Sequence, residues 1–286
     1  MKFSIVIPAY NEEKAIEDTL KELKDYLSNK KYQTEIIVVN DGSKDQTKKI
    51  LEKIEGIKLI NHPYNKGYGA SIKSGVKNAQ YDWILLYDGD GQHQPQYIEK
   101  LIKHNKNYDM VIGARVGYQG PLSRQPGKKL LTLVANYLVQ QKIPDLNSGF
   151  RLIKKDSFLK FLHILPNGFS ISTTITLAFF KEGLNIKYIP IRINKRKGQS
   201  TVGLKDGFEA LMTVLRTITL FSPLRIFLPI SFFLFCLSLL VSIVQSVYLK
   251  EFNISDTTIL FFVSSLFLFF FGLLADQISA VRRERR

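Results

Sequence analysis

Residues Trp83–Pro95 read WILLYDGDGQHQP. An apolar run ends abruptly in two carboxylates, Asp88 and Asp90, with a glycine after each. A short uncharged run of this kind reads as a buried strand, and the Gly-rich turn after it lets both carboxylates face one pocket. Oxygen donors at such a turn suit Mg²⁺ or Mn²⁺, and Mg²⁺ usually needs only one or two carboxylates when substrate phosphates complete its shell. A calcium loop of EF-hand type is excluded: Glu99 stands at the twelfth position, but Pro95 and Tyr97 break the ligand pattern. Taken alone, the acidic pair is also what a solvated turn looks like, so its meaning depends on what surrounds it.

Outward from this stretch, strand-like and helix-like segments alternate. Phe3–Pro8 (FSIVIP), Glu35–Asn40 (EIIVVN), Ile57–Ile60 and Met110–Ala114 are short apolar runs. Between them, Ala15–Leu27 carries Ile16, Leu20, Leu23 and Leu27 at helical spacing, and Asp45–Ile54, Tyr68–Asn78 and Pro95–His104 also read as helices. Buried strands alternating with helices predict an α/β fold with a mainly parallel sheet covered on both faces. Ligands of such sheets sit beyond the carboxyl ends of the strands. Three polar clusters fall there: Pro8–Glu13, Asp41–Ser43 and Asp88–His93. Residues 115–205 are less regular, with helices expected at Leu130–Gln140 and Thr173–Glu182 and a strand at Asn185–Ile193. Lys195–Gly203 (KRKGQSTVG) reads as a mobile basic loop.

Two uncharged segments close the chain, 24 residues from Ile226 to Leu249 and 19 from Thr257 to Ala275. At about 1.5 Å per residue each is long enough, or nearly so, for a hydrocarbon core of about 30 Å. Asp206–Leu220 presents Phe208, Leu211, Met212, Leu215, Ile218 and Thr219 on one face and reads as an interfacial helix leading into the membrane at Pro223. The expected division is a catalytic domain over 1–205, an amphipathic helix over 206–222 and a transmembrane hairpin with a basic tail over 223–286. No signal peptide opens the sequence, since Asn11, Glu12 and Glu13 follow the first apolar run at once.

Of 40 Lys/Arg and 25 Asp/Glu, residues 225–286 hold six and four, leaving 34 and 21 in residues 1–224, a net +13. The hairpin loop Lys250–Asp256 has one Lys and two acids, while the tail ends Arg282-Arg283-Glu284-Arg285-Arg286. The positive-inside rule then puts the large domain and the tail in the cytoplasm, facing an anionic leaflet. Nucleic acid is not an expected partner, because no basic helix, zinc pattern or aromatic RNA-binding motif accompanies the charge. The single cysteine, Cys236, excludes an internal disulfide framework and a multi-cysteine metal cluster. Four scattered histidines without H-E-x-x-H exclude a zincin. Asn65–Gly69 (NKGYG) resembles a phosphate loop but passes neither the Walker pattern nor G-x-G-x-x-G, since Ile72 stands where the last glycine belongs. The absence of G-x-S-x-G excludes an α/β-hydrolase nucleophile.

Seven segments occur in one order: VIPAYNEE (Val6–Glu13), VVNDGSKDQT (Val38–Thr47), NKGYGASIKSG (Asn65–Gly75), LLYDGDGQHQP (Leu85–Pro95), VIGAR (Val111–Arg115), LNSGFRLI (Leu146–Ile153) and RKGQST (Arg196–Thr201). The ordered set resembles the family-2 glycosyltransferases of GT-A fold, and within them the dolichyl/polyprenyl-phosphate sugar synthases of two-helix membrane type. That resemblance implies a nucleotide-sugar-binding domain transferring a hexose, glucose or mannose first, from a GDP- or UDP-sugar to polyprenyl or dolichyl phosphate with inversion. It implies that Pro8, Ala9, Tyr10, Glu12 and Asp41 line the nucleotide, with Asp88, Gly89, Asp90 and Arg115 also on the donor. Asp88, Asp90 and Gln92 would hold Mg²⁺ or Mn²⁺. Ser148, Arg151, Lys195 and Arg196 would surround the acceptor phosphate. The last motif departs from the usual form, with Thr201 where relatives often have Lys, so Lys195, Arg196 and Lys197 share that role unranked.

Asp145, just ahead of the S-G-F-R run, is the third catalytic candidate, as a base or, more in keeping with a phosphate acceptor, a positioning group; a plain turn aspartate after Pro144 is the other reading. His93 reads as a packing or turn residue. No Q-x-x-R-W exists, which argues against a processive polymer synthase. A membrane-anchored transferase with another lipid or glycan acceptor is the alternative function, and a homo-oligomer is compatible with the sequence.

Overall fold

The computed structural model describes residues 1–117, 132–133, 135–137, 139–194, 212, 215, 219, 222–252 and 254–284. The chain divides into two compact units, Met1–Val214 and Leu215–Arg286.

The first unit is built on a seven-stranded sheet. Its elements in chain order are β1 (Lys2–Ala9), α1 (Ile16–Ser28), β2 (Gln33–Asn40), α2 (Thr47–Leu51), β3 (Lys58–Asn61), α3 (Tyr68–Asn78), β4 (Trp83–Leu86), α4 (Tyr97–Ile102), β5 (Met110–Arg115), β6 (Arg151–Lys154), α5 (Lys155–Lys160), α6 (Ile171–Lys181) and β7 (Ile186–Ile191). The strand order is β3-β2-β1-β4-β6-β5-β7. β1 lies at the centre and is buried from Phe3 to Ala9, which is why it reads as a continuous apolar run and not as an alternating one. α1 turns Ile16, Leu20 and Leu23 inward against Phe3, Ile5 and Ile7. On the other side of the sheet α3 packs on β1 so closely that a Cβ at Gly75 would collide with Val6.

All neighbouring pairs are parallel except those of β6, which runs antiparallel to both β4 and β5. Sequence periodicity left residues 146–153 without an element, and the structure inserts this four-residue strand between the two strands read as fourth and fifth. The insertion has a direct consequence for the site. Because β6 runs the other way, its first residue, Arg151, pairs with Leu86 at the end of β4. The segment Asp145–Phe150 is thereby delivered to the same sheet edge as the Asp88 turn. The helix expected at Leu130–Gln140 is present at the residues described there, Thr132, Leu133, Ala135–Tyr137 and Val139.

The second unit is a helical hairpin, α7 (Leu224–Leu249) and α8 (Asp256–Glu284), reversed through Lys250 in the left-handed conformation. Both helices are long and apolar enough to cross a membrane: Leu224–Leu249 and Asp256–Val281 bury only 11% and 17% of their most apolar windows. Phe232, Phe233, Val247 and Phe267 are each more than 60% exposed on them, an apolar surface of the kind that marks a membrane or protein contact. What the helices do bury is small and polar. Ser231 donates to the Ser265 carbonyl at 2.8 Å and Ser238 to that of Thr258 at 3.0 Å, and Gly272 makes room for Phe227. Close approach through small residues, with hydroxyls bonded across helices, is how helices associate where water gives no hydrophobic drive. The segment read as an interfacial helix lies outside the described residues apart from Met212, Leu215, Thr219 and Ser222.

Candidate active site

The carboxyl ends of β1, β2 and β4 share one edge, and their loops are laced together. Asn11, at φ 54°, accepts from the Lys44 amide at 2.8 Å, and the Glu12 amide donates to Thr47 Oγ1 at 2.9 Å. The Gln46 amide donates to Glu13 at 3.0 Å. This fixes the segment after β1 against the one after β2. Pro8 and Ala9 are buried in the last turn of β1, while Tyr10 and Glu12 are half-buried at its exit.

Asp41, expected on the nucleotide, is buried and serves the neighbouring loop. Its Oδ1 accepts from the Lys66 amide at 2.9 Å and lies 2.6 Å from His62 Nδ1; its Oδ2 accepts from the Gly67 amide at 2.8 Å. His62 Nε2 reaches Ser74 Oγ at 2.9 Å. The phosphate-loop-like stretch Asn65–Gly69 is therefore held from below by a carboxylate. Gly67 sits at φ 101°, and a Cβ there would lie 2.5 Å from the Asn167 carbonyl oxygen, so only glycine fits. Beside this loop, Asn40, Ser43, Lys44, Lys48, Tyr64 and Asn65 help line a cleft of about 550 Å³. Another cleft, of about 580 Å³ around Lys73, Lys77 and His163, contains none of these carboxylates.

At the β4 end, the Asp88 carboxylate is held on both oxygens. The Tyr68 hydroxyl donates to Oδ1 at 2.7 Å, and His93 Nε2 lies 3.0 Å from Oδ2. Gly149 passes so close that any side chain there would meet this carboxylate. Burial pushes the Asp88 pKa up, but the His93 and Tyr68 hydrogen bonds and the Arg115 charge outweigh it and hold the group below the usual carboxylate range. Asp90 is 7% exposed and accepts the Gln92 amide at 3.1 Å, closing the turn. Gln92 is half-buried beside it, and Gly89 packs under the end of β1. Among the described residues no group of three or more His, Cys, Asp or Glu could hold a metal ion. Asp88 and Asp90 are hard oxygen donors two residues apart in one turn, too few for an all-protein cage and of the kind that suits Mg²⁺ or Mn²⁺ alongside substrate phosphates.

Arg115, at the β5 end, and Asp145 form a two-pronged ion pair, Nε–Oδ2 at 2.7 Å and Nη2–Oδ1 at 2.9 Å. The amides of Arg115 and Asn147 also donate to Asp145, both at 3.2 Å. Such a fork fixes the plane of the guanidinium.

Ser148 and Arg151 require a correction. Neither side chain is exposed at all. Ser148 donates its hydroxyl to the Gly113 carbonyl at 2.6 Å. Arg151 donates through Nε to the Ser148 carbonyl at 3.0 Å and through Nη1 to the Ser172 carbonyl at 3.2 Å and Thr176 Oγ1 at 3.1 Å. Their donors are spent on backbone and α6, so they brace the Asp145–Phe150 segment where the sequence reading had them touching phosphate. Lys195 and Arg196 lie outside the described residues. Sequence reading also missed Tyr68, whose ring stacks on Phe169 (5.4 Å, 20°), and the bond of His93 to Asp88. In the sequence, Asn65–Gly69 is a failed phosphate loop and the start of the third family motif, with no role given to Tyr68, its one aromatic residue.

The model of glycosyl transferase family 2 matches residues 4–162, over half of the chain. The chain belongs to glycosyltransferase family 2. A second model, the GtrB C-terminal hairpin, matches residues 222–281. The dolichyl-phosphate β-glucosyltransferase ALG5A of Trichomonas vaginalis is 31% identical over 215 residues, 68% of this chain and 66% of that one. The UDP-N-acetylglucosamine–dolichyl-phosphate N-acetylglucosaminyltransferase of Methanococcus voltae is 31% identical over 66% of this chain and 84% of its own length. The dolichol-phosphate mannosyltransferase of Pyrococcus furiosus is 29% identical over 76% of this chain and 63% of its own. Among solved structures, glucosyl-3-phosphoglycerate synthase of Mycobacterium tuberculosis, with Mn²⁺, UDP-glucose and phosphoglyceric acid, superposes with a TM-score of 0.61 at 16% identity, covering 76% of this chain and 79% of that one. At that identity the likeness speaks for the fold, which is GT-A. The glycosyltransferase is thus a family-2 enzyme followed by an apolar hairpin.

Proposed function

We propose that this glycosyltransferase moves a hexose, glucose or mannose, from a UDP- or GDP-sugar to the phosphate of a polyprenyl or dolichyl lipid at the cytoplasmic face of a membrane, inverting the anomeric carbon. The observation that carries this reading is the pairing of a family-2 domain, with carboxylates at its strand ends, and a two-helix apolar hairpin. The domains assigned to it are 1–205 for catalysis, 206–222 for the interface and 223–286 for the hairpin.

Pro8, Ala9, Tyr10 and Glu12 form the floor and rim on which the nucleotide lies, and Asp41 acts through the loop it holds. Asp88, Asp90 and Gln92 would hold the divalent cation beside the donor diphosphate. The bound cation would neutralise the charge that grows on the departing nucleoside diphosphate. Arg115, oriented by Asp145, meets phosphate oxygens, with Lys195 and Arg196 on the acceptor side. An acceptor phosphate oxygen bonds to the anomeric carbon as the bond from that carbon to the diphosphate breaks. Attack from the face opposite the leaving group inverts the centre. The acceptor's second pKa is about 6, so near neutrality it is mostly a dianion and needs no proton removed.

Labelled UDP- and GDP-hexoses, given to membranes with polyprenyl phosphate, polyprenol or diacylglycerol, test this. Label should enter lipid only with the phosphate acceptor and from one donor among glucose and mannose. Transfer to the alcohols alone would overturn it.

Orientation is tested separately. A reporter fused after Arg286 should read cytoplasmic, and a cysteine placed within Lys250–Asp256 should react with an impermeant reagent from outside. A tail labelled from outside intact cells would reverse the assignment.

A further inference from the structure

We propose that Tyr68 is a positioning residue for the metal site, and that Phe169 acts through it. The inference rests on the reading of Asp88 and Asp90 as cation ligands. A carboxylate has about four acceptor positions on its two oxygens. On Asp88 one position of Oδ1 is taken by the Tyr68 hydroxyl, and Oδ2 faces His93 Nε2. These two contacts select which lone pairs remain for a cation and stop the carboxylate from rotating. The two arms are themselves braced by aromatic rings. His93 is 4% exposed, stacks on Phe150 at 4.9 Å, and its carbonyl accepts the Tyr87 hydroxyl at 2.6 Å. That arm is part of the core.

The Tyr68 arm is different. Tyr68 is the first residue of α3, and the other side of its ring is covered by Phe169, which is 46% exposed. Phe169 belongs to the α5–α6 connector. That connector is pinned to α3 by the Ala70 amide on the Asn167 carbonyl at 3.1 Å and by Lys73 Nζ on the Leu165 carbonyl at 3.1 Å. Gly67 and Gly69 have no side chain because the connector's backbone fills that space. The connector therefore sets the ring, the ring sets the hydroxyl, and the hydroxyl sets Asp88. Outer-shell partners of this kind orient metal ligands, and their loss typically weakens metal binding by 10–100-fold.

The test uses the full chain in detergent, with Mn²⁺ binding followed by electron paramagnetic resonance in the presence of UDP or GDP and with transfer kinetics in parallel. Tyr68→Phe keeps the ring and removes the hydroxyl. It should weaken Mn²⁺ binding about tenfold and raise the KM for donor, leaving the KM for lipid phosphate unchanged. Phe169→Ala should do the same to a smaller degree, and Phe169→Tyr, which keeps a stacked ring, should restore wild-type values. The double variant Tyr68→Phe/Phe169→Ala should be no worse than Tyr68→Phe alone, because Phe169 acts only through the hydroxyl. Wild-type Mn²⁺ affinity in Tyr68→Phe, or effects that multiply in the double variant, would overturn the proposal. Asp90→Asn is the control on the reading beneath it. If that variant binds Mn²⁺ as the wild type does, the metal site itself is misassigned and the positioning role falls with it; if Asp90→Asn fails to bind while Tyr68→Phe binds normally, only the positioning role is wrong.

Discussion

Asp90→Asn is expected to reduce sugar transfer by about 10²–10³-fold, the usual scale for losing one group that stabilises transition-state charge, while thermal unfolding stays near that of the wild type. The fold survives because the contact Asp90 makes in the turn is one an asparagine can make too: its Oδ1 accepts the Gln92 amide. What asparagine cannot supply is the negative charge that draws a divalent cation. Asp88 cannot compensate, since it is the other carboxylate of the pair and its single charge is already counted there, held in place by Tyr68 and His93. Excess chelator should reproduce the loss in the wild type, and added Mg²⁺ or Mn²⁺ should reverse it. Unchanged turnover under chelation would remove the cation from the mechanism and with it the roles of Asp88, Asp90 and Gln92.

The site was legible in the sequence wherever a local pattern creates it. Strands buried on both faces are continuous apolar runs, so β1, β2 and β4 could be read directly, and the polar residues that end them mark the site edge. The hairpin was legible for the same reason, since uncharged runs of that length have few soluble uses. β6 was not. It is four residues long and is defined by its antiparallel pairing with β4 and β5, strands that lie well before it in the chain. Arg151 follows from that failure. An arginine in a polar motif reads as an exposed phosphate ligand, and only the later α6, through Ser172 and Thr176, reveals that it is buried and satisfied. Tyr68 and Phe169 lie on either side of a long stretch of chain, and no periodicity links them.

Asp145→Asn should lower the rate about 10–100-fold at every pH, the scale expected when a loosened positioning group lets the reactants shift by up to about 1 Å. Both oxygens of Asp145 are committed to Arg115, which is only 18% exposed in its side chain, and the backbone amides of Arg115 and Asn147 donate to the same group. An asparagine keeps one oxygen and turns an NH₂ group toward the guanidinium, so the fork is lost and the orientation of Arg115 with it. Breaking a largely buried pair from one side also deprives Arg115 of the Asp145 charge, at a cost to stability of about 2 kcal/mol or more, which chemical denaturation would read. The pH profile separates this role from general-base catalysis. The acceptor phosphate gains its second charge near pH 6, so the rate should fall below that pH in wild type and variant alike, with the acidic limb in the same place. If Asp145 instead removed a proton from the monoanion, its loss would matter only while protons remain to be removed. The variant would then recover fully at high pH, where the acceptor is all dianion. A uniform deficit supports the positioning role; full recovery would make Asp145 the base.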